Sequence, residues 1–198
     1  KIVTMIEATP ETLAPGPQTL PGDRTKSAKI GPMIRVNQAG ELGAKEIYRG
    51  QLAVLKNHPC ALLLEEMAEQ ESAHLAAFDK LIAERGVRPT ALSPGWRMAG
   101  YAIGTGSALL GEKAAMAVTV AVEDVIEEHY QNQLHALDRL DDGEEAELRD
   151  LIAEFRADEL KHRETALENG AEEAPAYQIL SRSVKSGTRL AIWLAERV

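Results

Sequence analysis

Apolar residues recur at helical spacing along most of the chain, and proline or glycine separates the segments in which they do. The first such segment has apolar side chains at Ile34, Ala44, Ile47, Leu52 and Leu55. It predicts a helix that begins near Pro32, since proline is favourable in a first helical turn, and ends at about Asn57. A second helix is predicted from Pro59 to Gly86, because glycine commonly ends helices.

The middle of the chain carries a long uncharged segment. No residue from Met98 to Gly111 is charged, but the run is shorter than the roughly 20 residues that a membrane-spanning helix needs. Glu112 and Lys113 then interrupt it. We therefore predict that Trp96–Leu110 forms an interfacial or substrate-channel helix, with Leu109 on its apolar path. The alternative is a structural role in the core or at a dimer interface.

Three further helices complete the predicted pattern. A third bundle helix is expected over Ala114–Leu140, and a fourth ends at Gly170. Asp141 or Asp142 is expected to cap this fourth helix, whose first turns then hold three glutamates: Glu144, Glu145 and Glu147.

The last helix is predicted to start at Pro175 and to be amphipathic. Its apolar stripe comprises Leu180, Val184, Leu190 and Leu194, and its basic flank comprises Arg182, Lys185 and Arg189. This pattern favours docking on the bundle. The alternative is contact with lipid headgroups, with Trp193 near the interface.

Composition fits one helical domain over residues 31–198, preceded by an irregular lead-in over residues 1–30 that is rich in proline. Aromatic residues make up only 4% of the chain, and helix-forming residues dominate. The net charge of −9 argues against nucleic acid as a partner. Cys60 is the only cysteine, so an intrachain disulfide is excluded, and we expect a small core residue there.

The two halves of the chain repeat one pattern of chemically reactive residues. When Glu41 is aligned on Glu123, a Tyr-x-x-Gln-Leu motif follows each at the same distance, beginning at Tyr48 and Tyr130. Each half then contains one Glu-x-x-His motif: Glu71-x-x-His74 and Glu159-x-x-His162. One such match is expected by chance in a chain this rich in glutamate. Two matches at equivalent places in an internal repeat indicate a shared site.

The spacing within these motifs suits metal binding. Residues three apart on a helix share one face, so the glutamate and the histidine can bind the same metal or adjacent metals. A Glu from each of two helices plus a Glu-x-x-His from each of two others is the ligand set of two-metal carboxylate sites in four-helix bundles. Such ligands fit iron, manganese or zinc. The alternative is that these side chains are solvated charges on helix faces.

The opening segment of the domain resembles that of a known enzyme family. Its sequence, Ile34-Arg-Val-Asn-Gln-Ala-Gly-Glu-Leu-Gly-Ala44, is similar to the first motif of the demethoxyubiquinone hydroxylases, di-iron enzymes of ubiquinone biosynthesis. The similarity continues through Gln70-Glu-Ser-Ala-His74, Thr119-Val-Ala-Val-Glu123, Glu128-His-Tyr130, Asp158-Glu-Leu-Lys-His162 and Ala174-Pro-Ala-Tyr177. It covers about residues 31–198. The implied fold is an all-α, ferritin-like four-helix bundle of two helix-pair repeats, with an apolar interfacial helix and a C-terminal helix added.

The resemblance implies two iron ions per chain. The implied ligands of one iron are Glu41, Glu71 and His74, and those of the other are Glu123, Glu159 and His162. Glu71 and Glu159 are the implied bridging carboxylates. Related bundles also imply that Asp158 accepts the ring N–H of His74, and that Gln70 does the same for His162.

The implied reaction is monooxygenation of the ring of a demethoxyubiquinone or demethoxyubiquinol, with O2 and an external reductant. Tyr130 and His129 are candidate catalytic groups; the alternative is that the tyrosines are core residues with satisfied hydroxyls. The expected partners are the quinone substrate, O2, an electron donor, a lipid-presenting protein of the ubiquinone pathway and a second copy of the chain.

The expected location is peripheral, on the cytoplasmic face of a bacterial cell membrane or, alternatively, on the matrix face of the mitochondrial inner membrane. Two other functions compete with the hydroxylase. One is a ferritin-like iron oxidase or storage protein with the same ligands, assembled as a closed shell. The other is a non-enzymatic bundle that binds lipid or a protein partner, which leaves the repeated ligand pattern unexplained.

Overall fold

The computed structural model describes residues 26–140 and 143–198. Within these residues the regular structure is helical, with no strand. The helices are α1 (Lys26–Leu55), α2 (Ala61–Arg85), α3 (Ser93–Leu109), α4 (Glu112–Asp138), α5 (Ala146–Glu168) and α6 (Tyr177–Ala195), with a short 3-10 helix at Ala171–Glu173. The predicted all-α class is confirmed.

Four of the helices form a bundle of two pairs. α1 packs on α2, and α4 packs on α5, so each repeated half of the sequence is one helix pair. Apolar side chains fill both ends of the bundle, around Phe78 and Ile152 at one end and around Leu64 and Met116 at the other. The buried glutamate and histidine of each Glu-x-x-His motif lie between these two apolar layers, which is where a site protected from water can form.

α3 packs closely against α1 because glycines remove the side chains at the crossing. A Cβ atom on Gly100 would lie 2.7 Å from the carbonyl oxygen of Gly43, and one on Gly104 would overlap the backbone of Ile47. Gly50 of α1 approaches the backbone of α3 in the same way. A larger residue at these places would force the helices apart. The close approach of α3 to α1 therefore depends on Gly100 and Gly104.

The predicted start of the first helix is wrong. α1 begins at Lys26, so Pro32 lies inside the helix and not in its first turn. A proline this close to the helix start removes one backbone hydrogen bond, but the buried side chains of Ile30 and Ile34 on either side of it hold the segment in place. The predicted irregular lead-in ended at residue 30, but residues 26–30 belong to α1, and residues 1–25 lie outside the described residues.

The predicted start of the fourth helix also differs from the structure. Asp141 and Asp142, the expected caps, lie outside the described residues. α5 begins at Ala146, so Glu144 and Glu145 precede it and only Glu147 lies in its first turn. Gly143 has a φ of 69°, a left-handed conformation that turns the chain and delays the helix.

α6 docks on α4 and α1, as predicted, but not through the whole predicted stripe. Leu180 and Val184 pack on the core, whereas Leu190 is 57% exposed. The reason is helical geometry: Leu190 follows Val184 by six residues, about 120° around the helix, which turns it away from the face that packs on the core. On the basic flank, Lys185 contacts Asp124 at 2.6 Å and Arg189 contacts Glu128 at 2.9 Å. No helix of the part of the chain that the structure describes is long and apolar enough to span a bilayer.

Candidate metal centre

The structure brings all six predicted metal ligands together between the two helix pairs. Each bundle helix contributes, and every one of these side chains is at least 97% buried: Glu41 from α1, Glu71 and His74 from α2, Glu123 from α4, and Glu159 and His162 from α5. Their ligand atoms form two groups. The first contains Glu41, Glu71, His74 and Glu159, and the second contains Glu71, Glu123, Glu159 and His162. Glu71 and Glu159 belong to both groups, which is the arrangement expected of bridging carboxylates.

Both imidazoles direct the same nitrogen at the carboxylates. His74 Nδ1 lies 3.4 Å from Glu159 Oε1 and 3.6 Å from Glu41 Oε2. His162 Nδ1 lies 3.2 Å from Glu71 Oε1 and 3.4 Å from Glu159 Oε2. Because ligand atoms on one metal lie roughly 3–4 Å apart, each imidazole is placed to share a cation with the neighbouring carboxylates.

The other nitrogen of each imidazole meets an acceptor on the opposite helix pair. His74 Nε2 lies 3.4 Å from Asp158 Oδ2, and His162 Nε2 lies 2.6 Å from Gln70 Oε1. An Nε2–H that donates outward leaves the Nδ1 lone pair free to bind a metal. The two acceptors therefore occupy the places that the sequence assigned to them.

Two tyrosines cross between the helix pairs and donate to the glutamates that open each repeat. The hydroxyl of Tyr48 donates to Glu123 Oε1 at 2.9 Å, and the hydroxyl of Tyr130 donates to Glu41 Oε1. Burial, together with the surrounding carboxylates, raises the pKa of both tyrosines well above 10. Both hydroxyls therefore stay protonated and act as donors.

The centre holds more negative charge than its own protein groups can balance. Burial and the neighbouring carboxylates raise the pKa of Glu71 and of Glu123 well above the usual value. Burial opposes ionisation of Glu159 too, but the nearby imidazoles of His162 and His74 lower its pKa to about 2. Burial alone would lower the pKa of His74, yet Glu159 and Glu41 raise it to about 10. Without cations, protons must therefore neutralise part of the centre.

Many polar atoms of the centre lack hydrogen-bond partners among the described residues. They are Glu41 Oε2, both oxygens of Glu71, Glu123 Oε2, both oxygens of Glu159, and the Nδ1 atoms of His74 and His162. Leaving so many buried acceptors unpaired is very costly unless something else binds them. Two divalent cations that share Glu71 and Glu159 fit this set of donors.

A cavity of about 470 Å³ reaches one side of the centre. Parts of α1, α3, α4 and α6 line it, mostly with aliphatic side chains and glycine, and the lining includes Glu41 and Tyr130 of the centre. On α3 the lining residues are Trp96, Ala99, Gly100 and Ile103. Leu109, which we expected on this path, is not among them and is 71% exposed. The expectation that Leu109 lies on the substrate path is therefore wrong. The α3 residues that line the cavity opposite α6 all belong to the part of the helix from Trp96 to Ile103.

His129 also lines this cavity, held by an amide pair that the sequence did not reveal. Asn37 and Gln133 exchange two hydrogen bonds, of 2.8 and 2.9 Å, and Gln133 Nε2 lies 2.8 Å from His129 Nε2. Burial lowers the pKa of His129 to about 4, so the ring is neutral at pH 7. The signal available in the sequence was the Gln of the repeated Tyr-x-x-Gln motif. At the place of its partner Asn37 the second half has Thr119, whose hydroxyl lies 3.5 Å from the amide nitrogen of Gln51.

Comparison with known proteins identifies relatives over nearly the whole described chain. The family model described as "Ubiquinone biosynthesis protein COQ7" matches residues 28–195. The 3-demethoxyubiquinol 3-hydroxylase of Rhodospirillum rubrum is 52% identical over 180 residues, which are 90% of this chain and 83% of that protein. The human mitochondrial NADPH-dependent 3-demethoxyubiquinone 3-hydroxylase is 44% identical over 176 residues, which are 89% of this chain and 81% of that protein.

A more distant relative supports the same conclusion. The mitochondrial 5-demethoxyubiquinone hydroxylase of Saccharomyces cerevisiae is 40% identical over 186 residues, covering 87% of this chain and 80% of that protein. These matches span both helix pairs and the two added helices, so the likeness is not confined to a short motif. With its repeated Glu-x-x-His helices and the matching family model, the chain belongs to the ubiquinone biosynthesis family COQ7.

Proposed function

We propose that this chain is a di-iron monooxygenase that hydroxylates the ring of a demethoxyubiquinol or demethoxyubiquinone in ubiquinone biosynthesis. Its relatives are named as hydroxylases of these compounds. The observation that carries the proposal is the mostly apolar cavity whose lining includes Glu41 and Tyr130 of the buried centre. A polar quinone ring on an apolar isoprenoid tail matches a mostly apolar cavity that reaches polar groups of the centre.

The proposed iron ligands are the six buried residues, Glu41, Glu71, His74, Glu123, Glu159 and His162. When bound, iron supplies the O2-dependent redox chemistry that ring hydroxylation requires. Asp158 and Gln70 hold the histidines in the metal-binding tautomer. Tyr48 and Tyr130 fix the orientation of Glu123 and Glu41 through their hydroxyl hydrogen bonds.

Two groups in the cavity can position the ring. Because Gln133 donates to His129 Nε2, the neutral imidazole carries its proton on Nδ1 and can donate a hydrogen bond to a ring oxygen. Trp96 also lines the cavity, and its buried Nε1–H has no hydrogen-bond partner within the described part of the chain. We propose that these two donors orient the ring and that Tyr130 holds Glu41 at the point where the ring meets the centre.

We propose that the protein acts at a membrane surface. Around the cavity, α3 exposes Met98 (76%) and Ile103 (43%), and α6 exposes Leu190 (57%) and Trp193 (50%). Such side chains can enter the headgroup region of a bilayer, so a long-tailed quinone can move from lipid into the cavity. We propose peripheral attachment, on the cytoplasmic face of a bacterial membrane or on the matrix face in a mitochondrion. High-salt and alkaline washing should release the protein from membranes; retention would contradict peripheral attachment.

Electrons are proposed to come from an external donor. Several relatives are named as NADPH-dependent, so reduced nicotinamide is the first reductant to test. The lipid-presenting protein and the second copy of the chain remain predictions.

The test is direct. Iron-loaded protein receives the demethoxyquinol, a reductant and isotopically labelled O2, and mass spectrometry measures the product. We expect one labelled oxygen atom in the ring. The matched control is Glu159→Ala, which should form no product. A wild-type protein that takes up iron but forms no labelled product with either the quinone or the quinol would contradict the proposal.

A further inference from the structure

A second cluster of metal-binding residue types lies at the end of the bundle where the α1–α2 turn meets the start of α4. It consists of His58 and Cys60 in the turn and Glu112, the first residue of α4. Glu112 precedes Glu123 by about three helical turns, roughly 16 Å along the helix, so the cluster is separate from the six-residue centre. No role in the proposed hydroxylation uses it.

The three side chains already have the separations of ligands around one ion. His58 Nδ1 lies 3.2 Å from Cys60 Sγ and 3.8 Å from Glu112 Oε1. The three ligand atoms all lie within 4.8 Å of one another. Around a tetrahedral zinc ion, with bonds of roughly 2.0–2.3 Å, pairs of ligand atoms lie roughly 3.3–3.7 Å apart. Only small side-chain adjustments separate the observed arrangement from that geometry.

The donor types favour one class of cation. A thiolate, an imidazole and a carboxylate together suit a borderline-soft divalent ion such as zinc, and a thiol is a poor ligand for calcium or magnesium. The side chain of His58 is 39% exposed and that of Glu112 is 30% exposed, whereas Cys60 is buried. Solvent can therefore reach the open side of the cluster. We propose that His58, Cys60 and Glu112 bind one zinc ion, with water at the fourth position.

Zinc binding at this place has a defined proton balance and a structural consequence. Burial and the nearby Glu112 carboxylate raise the pKa of the Cys60 thiol to about 11, so the metal-free thiol keeps its proton. Formation of the zinc–sulfur bond therefore releases one proton to solvent. The ion would join the α1–α2 turn to the first turn of α4, two segments from different helix pairs. The competing interpretation is a local hydrogen-bonded turn, in which the amide N–H of Cys60 donates to His58 Nδ1 at 3.4 Å.

Cobalt(II) added to the full chain distinguishes these interpretations. Because Cys60 is the only cysteine, a thiolate-to-cobalt charge-transfer band in the near ultraviolet can arise only at this cluster, and not at the carboxylate–imidazole centre. We expect a band that saturates at one thiolate-bound cobalt per chain and that added zinc abolishes. His58→Ala and Glu112→Ala should each weaken cobalt binding by about 10-fold or more. His135→Ala, an exposed histidine elsewhere on α4, is the matched control and should leave the band unchanged.

Two outcomes would overturn the inference: no charge-transfer band in the wild-type chain with cobalt in excess, or an unchanged band in both His58→Ala and Glu112→Ala. Cys60→Ser should abolish the band, and circular dichroism checks that this variant folds. If Cys60→Ser does not fold, His58→Ala still provides the test, because it changes an exposed side chain. The result does not depend on the proposed hydroxylase activity, because cobalt binding through Cys60 is measured without substrate.

Discussion

The two ends of the metal centre are built from the same repeated residues but have different surroundings. At what we call the Tyr130 end, Tyr130 donates to Glu41 and both residues border the cavity. At the Tyr48 end, Tyr48 donates to Glu123, and its hydroxyl lies 3.7 Å from the sulfur of Met67 within an apolar core. One end can therefore meet a substrate, and the other is closed.

The difference arises from the helices that are not repeated. α3 and α6 cover the bundle beside the Tyr130 end, and the cavity lies between them. The duplicated helix pairs thus supply a nearly symmetric set of ligands, while the two added helices make one end accessible. Metal binding and substrate access therefore depend on different helices, and we expect that each property can be changed alone.

Loss of a carboxylate that both ligand groups share should have the largest effect, because it should weaken metal binding at both ends of the centre. Glu159→Ala removes oxygens from both ligand groups, so affinity for both irons should fall by at least about 100-fold. Iron analysis after anaerobic reconstitution measures this. Glu46→Gln is the matched control. Glu46, on α1, is buried like Glu159, but it contacts Arg49 and is not a ligand. Normal loading of Glu159→Ala would contradict the shared site.

Removal of the hydrogen-bond acceptor of each histidine should lower metal affinity, by different amounts for His74 and His162. Asp158→Ala removes the charged acceptor of His74, and metal affinity should fall by about 10–100-fold. Gln70→Ala removes the neutral acceptor of His162 and should cost less, because a carboxylate stabilises the imidazole N–H more strongly. Metal titration of both variants measures the difference. A larger loss for Gln70→Ala would mean that the shorter distance of that contact matters more than charge.

The tyrosines test the comparison directly. Tyr130→Phe removes the donor to Glu41 beside the cavity and should lower turnover by about 10-fold, the equivalent of one well-placed hydrogen bond. Tyr48→Phe should lower turnover less and should act mainly on stability, since that end is closed. Steady-state rates and melting temperatures, with iron content as the control, give both quantities. Equal losses of turnover would show that the two ends contribute alike.

A charge in the cavity should impair access without changing the metal site. Ile103→Glu places a carboxylate on the cavity wall, so hydroxylation of a long-tailed quinone should fall several-fold while iron content stays normal. Leu109→Glu, on the exposed last turn of α3, is the matched control and should have little effect. A short-tailed analogue should lose less activity than the natural substrate. Parallel loss of iron in Ile103→Glu would indicate a purely structural role for α3.

The smallest expected effect is a pH dependence of the stability of the metal-free protein. Glu71 and Glu123 have raised pKa values, so the folded state keeps protons that the unfolded chain releases above about pH 4.5. The pKa of His74 is raised to about 10, so its stabilising contribution is complete below pH 6.5 and is lost as the pH rises toward 10. Both effects lower stability at alkaline pH. The melting temperature of chelator-treated protein should fall by a few degrees from about pH 6 to about pH 9.

The iron-loaded protein is the control for this last experiment. Bound cations take the place of the protons, so its melting temperature should change much less over the same range. A metal-free protein that becomes more stable with rising pH would contradict the assigned protonation of the centre.

The sequence alone determined the candidate metal site, because that site depends on local geometry. A Glu-x-x-His motif on a helix places both side chains on one face whatever the helix packs against, and the internal repeat supplies the second set. The roles of Asp158 and Gln70 were implied by the resemblance to related bundles and not by local geometry, because each acceptor meets a histidine of the opposite helix pair. The helical class and the approximate bounds of most helices followed from spacing and from proline and glycine positions.

The contacts between side chains on different helices depend on tertiary packing and could not be read from the sequence. Pro32 lies inside α1 because Ile30 and Ile34 are buried, and Leu190 is exposed because the face of α6 is set by its contact with α4. Likewise, Ile103 lines the cavity and Leu109 does not, although both belong to one uncharged run. Composition shows that a segment is apolar. Whether the segment faces a core, a cavity or the surface depends on how each helix is rotated about its axis relative to its neighbours. Contacts such as that of Gly104 with Ile47 fix this rotation, and they exist only in the folded chain.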